Sequence, residues 1–366
     1  MKKNVYNLSD VAKEAGVSKS TVSRILNNRF GHNFSVKKEV HERVLEVAQR
    51  LNYQPSLIAK SLSMKSTRMI HVFGGNPALA ELGNIYQTIL NNFTDEIDSL
   101  NEGFDVTMDM SRHLKGESEM PAWRIDGAAI LARYSQHTMD TIKQMGIPYV
   151  MINGMCDEGG FAVVPDDIGG TRLAVEHLVG LGHRKIAYSG PIPPGSSELE
   201  EKTNEQNGTQ EYKSLGLEVN VLTTHPSLTD RYNTYLSELE KYGLEPIIRS
   251  HYEVDSPQEY LEETINKHGA TAILAYGHMG ALNIMQTAHA MGLAIPEDFS
   301  LMCFCDAYAN RVMSPRITFI DLQTAQMGRI AAKLLVEQIH SHRQTKPEKI
   351  VLPEQLVVNE TTAPPA

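Results

Sequence analysis

Between Asn7 and Asn27 the apolar residues fall at helical spacing on either side of one glycine, and this leaves the local chain little freedom. Leu8, Val11, Ala12 and Ala15 make one stripe. Asn7 stands where an N-cap is needed, and Asp10 puts negative charge into the first turn. Gly16 can take the left-handed conformation that ends a helix. Val17 plugs the turn, and Ser18 caps a second helix whose buried side is Val22, Ile25 and Leu26. Ala12 is small where the two helices must cross. Two short helices joined by a Gly-containing turn are the helix-turn-helix unit.

The second helix leaves Lys19, Ser20, Thr21, Ser23 and Arg24 without an apolar role. Its first turn would enter a major groove with Lys19 and Ser20 toward base edges. Arg24 suits a bidentate pair with guanine or a phosphate contact, and Thr21, Ser23 and Asn27 suit phosphate oxygens. Any one of them alone is also what a solvated surface looks like. Residues 1–65 hold 12 Lys and Arg against 5 Asp and Glu, whereas the remainder holds 22 against 39. A basic head on an acidic body implies a head that meets a polyanion.

A third helix reads from about Val36 to Leu51, buried through Val36, Val40, Val44, Val47, Ala48 and Leu51, with Ser35 as its cap. Tyr53-Gln54-Pro55 breaks the chain. Ser56 to Ser63, with Leu57, Ile58, Ala59 and Leu62 apolar, is too short to be helical alone. It folds against something, DNA with Leu62 as a minor-groove wedge, or it stays a linker.

A chain of 366 residues is enough for two or three domains at roughly 150 residues each. With 41% hydrophobic and 21% charged residues the composition is that of a globular protein rather than a disordered one. No apolar run reaches the roughly 18 residues of a membrane helix, and no h-region follows Met1-Lys2-Lys3-Asn4. Cys156, Cys303 and Cys305 are odd in number, with two of them one residue apart, so a reducing cytoplasm is the expected home. The body alternates strands (Met69–Phe73, Phe104–Met108, Gly127–Leu131, Pro148–Ile152, Lys185–Tyr188, Glu218–Leu222, Ala272–Tyr276) with helices (Leu82–Leu100, Thr138–Met145, Gly170–Leu178). That order predicts parallel sheets covered by helices, in two subdomains with a cleft between them. The loops Gly74–Asn76, Gly190–Ser197 and Tyr276–Met279 are expected to face the cleft.

Leu8-Ser9-Asp10-Val11-Ala12 through Ala15-Gly16-Val17-Ser18, then Thr21-Val22-Ser23-Arg24, resembles the signature of the lactose-repressor (LacI/GalR) family of bacterial transcription regulators. The likeness continues in Leu51-Asn52-Tyr53-Gln54-Pro55 and Ala59-Lys60-Ser61-Leu62, in Gly169 to Ala187, and in Val351-Leu352-Pro353-Glu354-Gln355-Leu356-Val357. It implies a small all-α helix-turn-helix head (1–54), a hinge helix and linker (55–66), and an α/β periplasmic-binding-protein-like core (67–366). Within the core the expected division is a first subdomain of 67–165 and 296–325 and a second of 166–295 and 326–366. The resemblance carries the DNA-contact role to Asn7, Ser18, Lys19, Ser20, Thr21, Ser23, Arg24, Asn27, Ala59, Lys60 and Leu62. Ser56 and Lys60 depart from the commonest hinge pattern, where Asn and Arg are usual, and the loop Asn28–Phe34 is longer than in many members. No Leu heptads follow residue 357, so a homodimer on a pseudo-palindromic double-stranded operator is expected rather than a tetramer.

The family pattern weakens in the sensor cleft. Glu205, ahead of Gly208, stands where sugar-binding members carry Arg; Gly277-His278 falls on the usual Asn-Asp pair, and Cys305 on the first Asp of a pair whose second is Asp306. With Asn76 in the first loop, Asn76, Glu205, His278, Cys305 and Asp306 are the expected effector-contact residues. Glu, Gly-His and Cys cannot make the bonds that fix ring hydroxyls in relatives. Either the small ligand differs, or the cleft is governed by a protein partner or by nothing. Trp123 could stack on a sugar face but is more commonly core. Cys303, Cys305 and His278 are too sparse for a metal site, and no metal or cofactor is expected. No G-x-S-x-G, P-loop or H-E-x-x-H is present. The expectation is therefore a non-enzymatic regulator, a repressor of carbohydrate-related genes whose DNA affinity a small effector, a sugar or derivative, modulates. A small-molecule-binding α/β protein that does not act on DNA is the alternative.

Overall fold

The computed structural model describes residues 6–26, 36–53, 66–74, 85–108, 121, 124–132, 136–155, 160–193, 225–248, 256–307, 311, 313–341 and 346–366. It divides into two compact units, Met1–Arg68 and Met69–Ala366. The expected strand at Glu218–Leu222, Asn27, Ala59, Lys60, Leu62, Asn76, Trp123, Glu205 and Gly208 lie outside the described residues.

The head contains α1 (Leu8–Ala15), α2 (Lys19–Leu26) and α3 (Lys38–Arg50). Val11, Ala12, Ala15, Val22, Ile25, Val44, Val47 and Ala48 form its core, so each helix gives the face that its spacing marks. An ion pair of 2.6 Å between Arg50 and Glu14 ties α3 to α1. The third helix starts two residues later than its apolar pattern suggests. Lys37 occupies the N-cap position without a side-chain cap bond.

In the larger unit the first sheet comprises β1 (Met69–Phe73), β2 (Asp105–Met108), β3 (Gly127–Leu131), β4 (Tyr149–Ile152), β5 (Ala162–Pro165) and β11 (Lys349–Leu352). Their order is β11-β5-β4-β3-β1-β2, all parallel. The second comprises β6 (Ile186–Ser189), β7 (Ile247–Ile248), β8 (Ala272–Ala275), β9 (Ser300–Cys305), β10 (Thr318–Asp321) and β12 (Gln355–Val357). Its order is β12-β10-β9-β8-β6-β7, with only β12 antiparallel. The central strands are apolar throughout, as Gly127–Leu131 and Ala272–Ala275 show, because helices cover both faces of such a sheet.

Helices α4 (Ile85–Ser99) and α5 (Gln136–Gln144) accompany the first sheet. Helices α6 (Asp167–Gly180), α7 (Pro226–Lys241), α8 (Pro257–Leu261, continued by a wider turn over Glu262–Lys267) and α9 (His278–Met291) accompany the second. The last helix, α10 (Thr324–His340), places Met327, Ala331 and Leu335 in the core of the first sheet with Ile89 and Phe93 of α4.

This arrangement corrects the expected division. Residues 300–321 supply β9 and β10 of the second sheet, whereas α10 and β11 belong to the first. The chain crosses between subdomains three times, at 165–167, 321–324 and 352–355. Hydrophobic spacing carries no information on which sheet a buried strand or helix completes. The terminal residues are built in rather than loose: Thr361 is fully buried, accepts the Leu301 N–H through its carbonyl (2.8 Å), and donates its hydroxyl to the Leu301 carbonyl (2.6 Å).

α4 and α10 approach so closely at Gly328 that a first side-chain carbon there would overlap the Ile89 carbonyl oxygen and stand 2.9 Å from the Phe93 nitrogen. Both obstacles are backbone and cannot rotate away. Gly328→Ala is expected to lower the stability of the larger unit by about 1–3 kcal/mol, read as a lower calorimetric midpoint for that unit with the head's transition unchanged.

Candidate functional site

The start of α1 is fixed by reciprocal bonds: Asn7 Oδ1 accepts the Ser9 N–H at 2.8 Å, and Asp10 Oδ2 accepts the Asn7 N–H at 2.8 Å. Gly16 ends the helix at φ 66°, and the Val17 N–H returns to the Ala12 carbonyl at 3.0 Å. Ser18 Oγ accepts the Thr21 N–H at 3.1 Å and lies 2.7 Å and 2.8 Å from the hydroxyls of Ser20 and Thr21. Asn7 and Ser18 are thus the caps that set the turn, besides being expected DNA contacts. With Val22 and Ile25 buried, Lys19, Ser20 and Arg24 are exposed and Thr21 and Ser23 half-buried. The expected reading residues therefore share the outward side of one rigid helix. Asn27, Ala59, Lys60 and Leu62 complete the expected set outside the described residues.

In the core, polar groups gather at the carboxyl ends of β4 and β8, where an open parallel sheet presents its ligand site. Asn153, immediately after β4, donates through Nδ2 to the Tyr86 hydroxyl at 3.1 Å. Its carbonyl accepts His225 Nε2–H at 2.8 Å. His225 caps α7 through Nδ1, which accepts the Ser227 N–H at 3.3 Å, so the neutral ring carries its proton on Nε2. The Ser227 hydroxyl lies 2.5 Å from the Tyr276 hydroxyl, directly after β8. The series Tyr86, Asn153, His225, Ser227, Tyr276 crosses from first to second subdomain. Ile85 crosses beside it, packing on the cluster of Tyr188, Tyr232 and Phe304.

The residues expected to bind effector fare unevenly. His278 begins α9, half-buried, with Gly277 as its N-cap. Asp306 is buried and accepts the Thr324 hydroxyl at 3.3 Å, next to the second crossover. Cys305 does not serve the cleft: its thiol is fully buried in the apolar cluster of Cys303, Phe299 and Phe319. Burial pushes the Cys305 thiol up, and hydrogen bonding to Cys303 and the charges of Asp306 and Asp321 add to this. At the end of β8, Tyr276 stands directly before Gly277-His278 and its hydroxyl meets that of Ser227. Asn153 and Tyr276 could have been found as the first residues after their strands, but His225 carries no sequence signal of its own. Among the described residues no His/Cys/Asp/Glu group could hold a metal, and no helix is long and apolar enough to cross a membrane.

A capped helix-turn-helix head, followed by two parallel sheets crossed three times with polar groups at their carboxyl ends, defines a DNA-reading head on a periplasmic-binding-protein-like core. Comparison with known proteins agrees. Residues 7–56 match the bacterial regulatory proteins of the lacI family, and residues 175–362 match the periplasmic binding protein-like domain. The chain belongs to the LacI family of bacterial regulatory proteins. It is 26% identical over 360 residues to the ribose operon repressor of Halalkalibacterium halodurans, covering 97% of this chain and 96% of that protein. It is 27% identical over 379 residues to the transcriptional regulator DegA of Bacillus subtilis, covering 100% and 99%. The crystal structure of the lac repressor dimer bound to operator and the anti-inducer ONPF has the same fold, with a TM-score of 0.71 at 23% identity, covering 98% and 99%.

Because Asn7 satisfies the first orphan donors of α1, Asn7→Ala is expected to cost the head about 1 kcal/mol. Denaturant unfolding followed by head-specific amide exchange measures it, and Asn7→Asp should restore most of the loss.

Proposed function

We propose that this chain is a dimeric, operator-binding transcriptional repressor whose DNA affinity is set by a small effector in the inter-subdomain cleft. The observation that carries this reading is the capped α2, which holds Lys19, Ser20 and Arg24 outward on a helix fixed by Val22 and Ile25. Lys19 and Ser20 read base edges, Arg24 takes a guanine or a phosphate, and Thr21 and Ser23 hold phosphates. Leu62, with Ala59 and Lys60, opens the minor groove at the operator centre. The chain acts through binding equilibria rather than catalysis, in the cytoplasm where its DNA target lies.

The effector is a neutral, hydroxyl-rich molecule, a sugar or derivative. Tyr86, Asn153, His225, Ser227 and Tyr276 form a series of uncharged donors and acceptors, which suits hydroxyls better than it suits an anion. The name of the ribose operon repressor supports the same class. An effector that binds the open and closed subdomain arrangements unequally changes their populations and with them the operator affinity.

Selection of random duplex DNA by the full-length protein at one fixed salt concentration is expected to enrich a pseudo-palindrome. Removal of residues 1–65 should abolish binding and leave the core folded. Arg24→Ala should weaken operator binding by about 1–3 kcal/mol, measured by fluorescence anisotropy. Leu62→Ala should reduce operator binding more than binding to random DNA. Equal losses on both would refute the wedge role.

A further inference from the structure

Each of the three crossovers between the subdomains carries a carboxylate at the seam. The first holds Asp166 and Asp167, the second ends β10 at Asp321, and the third holds Glu354 between β11 and β12. Glu354 is 5% exposed, and neither of its carboxyl oxygens has a hydrogen-bond partner. The carboxyl packs with Ile320 over Gly170 of α6. The cation that acts on it is Arg231 of α7, itself 5% exposed. Arg231 is already engaged: Nε donates to Asp167 Oδ1 at 2.6 Å, Nη1 donates to the Tyr276 carbonyl at 2.8 Å, and the guanidinium lies 4.0 Å from the Phe304 ring centre.

One buried guanidinium therefore faces two buried carboxyls. The groups around Glu354 are Arg231 from α7, Asp166 and Asp167 from the start of α6, and Asp321 from β10. Tyr188 of β6 and Tyr276 after β8 face the guanidinium, and Asp230 of α7 faces Asp167 and Arg231. With Asp167 matched to Arg231, a second negative charge in the seam is uncompensated, and a buried carboxyl in that position keeps its proton.

We propose that Glu354 makes the hinge proton-responsive: the closed arrangement of the subdomains holds a proton on Glu354 that the open arrangement releases. Rotation of the subdomains is absorbed in the three crossovers, so the seam that encloses Glu354 is the part that deforms. Opening admits water to the carboxyl and allows it to ionise. By linkage, protons favour the state in which the group is enclosed. Burial pushes the Glu354 carboxyl well above the ordinary range, with Asp167, Asp166 and Asp321 reinforcing and Arg231 opposing. Below the ordinary glutamate range the carboxyl is protonated in both arrangements and pH has no effect. As pH rises from there through its raised value, the closed arrangement is lost, by up to about tenfold in the closed-to-open ratio per pH unit for one proton.

The proposal rests on subdomain closure as the motion of this core, so closure is read directly, without DNA or effector. Full-length protein carrying fluorophores at Met145→Cys in the first subdomain and Tyr242→Cys in the second, in a Cys156→Ser background and diluted in unlabelled chains, is titrated from pH 5 to 9. The expected result is a fall in the closed fraction with rising pH that Glu354→Gln, matched in shape and without charge, abolishes. Asp167→Asn, which removes a neighbouring negative charge and can still accept from Arg231, should move the midpoint to lower pH. A closure signal independent of pH, or a dependence that survives Glu354→Gln, overturns the proposal. So does a pH dependence in the thermal midpoint alone, because Glu354 is then a structural acid in both arrangements. Failure to bind any DNA would sink the regulatory reading while leaving the closure result standing.

Discussion

The Arg231 guanidinium joins the parts of the second subdomain and sets the electrostatics of the seam. It pairs with Asp167 where the chain enters α6, holds the carbonyl that ends β8, and lies over the rings of Phe304 and Tyr276. A buried ion pair of this kind adds little over an apolar contact, but losing one partner costs about 3–5 kcal/mol because the other charge is left enclosed. The pair links α7 to the start of α6, and at the N-terminus of α7 His225 meets the Asn153 carbonyl. The planar guanidinium suits the place, since it stacks on aromatic faces and donates along fixed directions at once.

The head and the core solve different physical problems. The head is small, and it rests on caps that act between near neighbours in sequence and on one apolar cluster that packs α3 against α1 and α2. The core brings together residues remote in sequence: Asn153 and Tyr86 are 67 positions apart, and His225 is 72 from Asn153. A cleft made from strand ends of both sheets closes only if the crossovers bend, and in this chain the crossovers are also where carboxylates collect.

Local signals were legible at the first two helices, where local physics decides, but not at the start of α3, whose N-cap position falls on Lys37 rather than on Ser35. Asn7, Gly16 and Ser18 fulfil the capping and turn roles that their types and spacing imply, because a helix end offers few ways to satisfy its free N–H and C=O groups. Strands such as Gly127–Leu131 and Ala272–Ala275 were readable as continuous apolar runs. Pairing was not readable: residues 300–321 and 326–352 exchange subdomains relative to the sequence expectation, since a buried strand reads the same whichever sheet it joins. Cys305 shows a related failure. Its position beside Asp306 suggested the cleft, but alternation along β9 turns its thiol into the apolar cluster.

By itself the sequence determined the helix-turn-helix head, the α/β class of the core and the outward set Lys19, Ser20 and Arg24, because caps, glycine turns and apolar period act over a few residues. Only the tertiary structure decided which strands complete each sheet, which polar residues meet at the strand ends, and that Glu354 is enclosed with a guanidinium already committed to Asp167. Those depend on contacts between segments that nothing in local spacing relates, and on desolvation, which exists only once the segments have closed around a group.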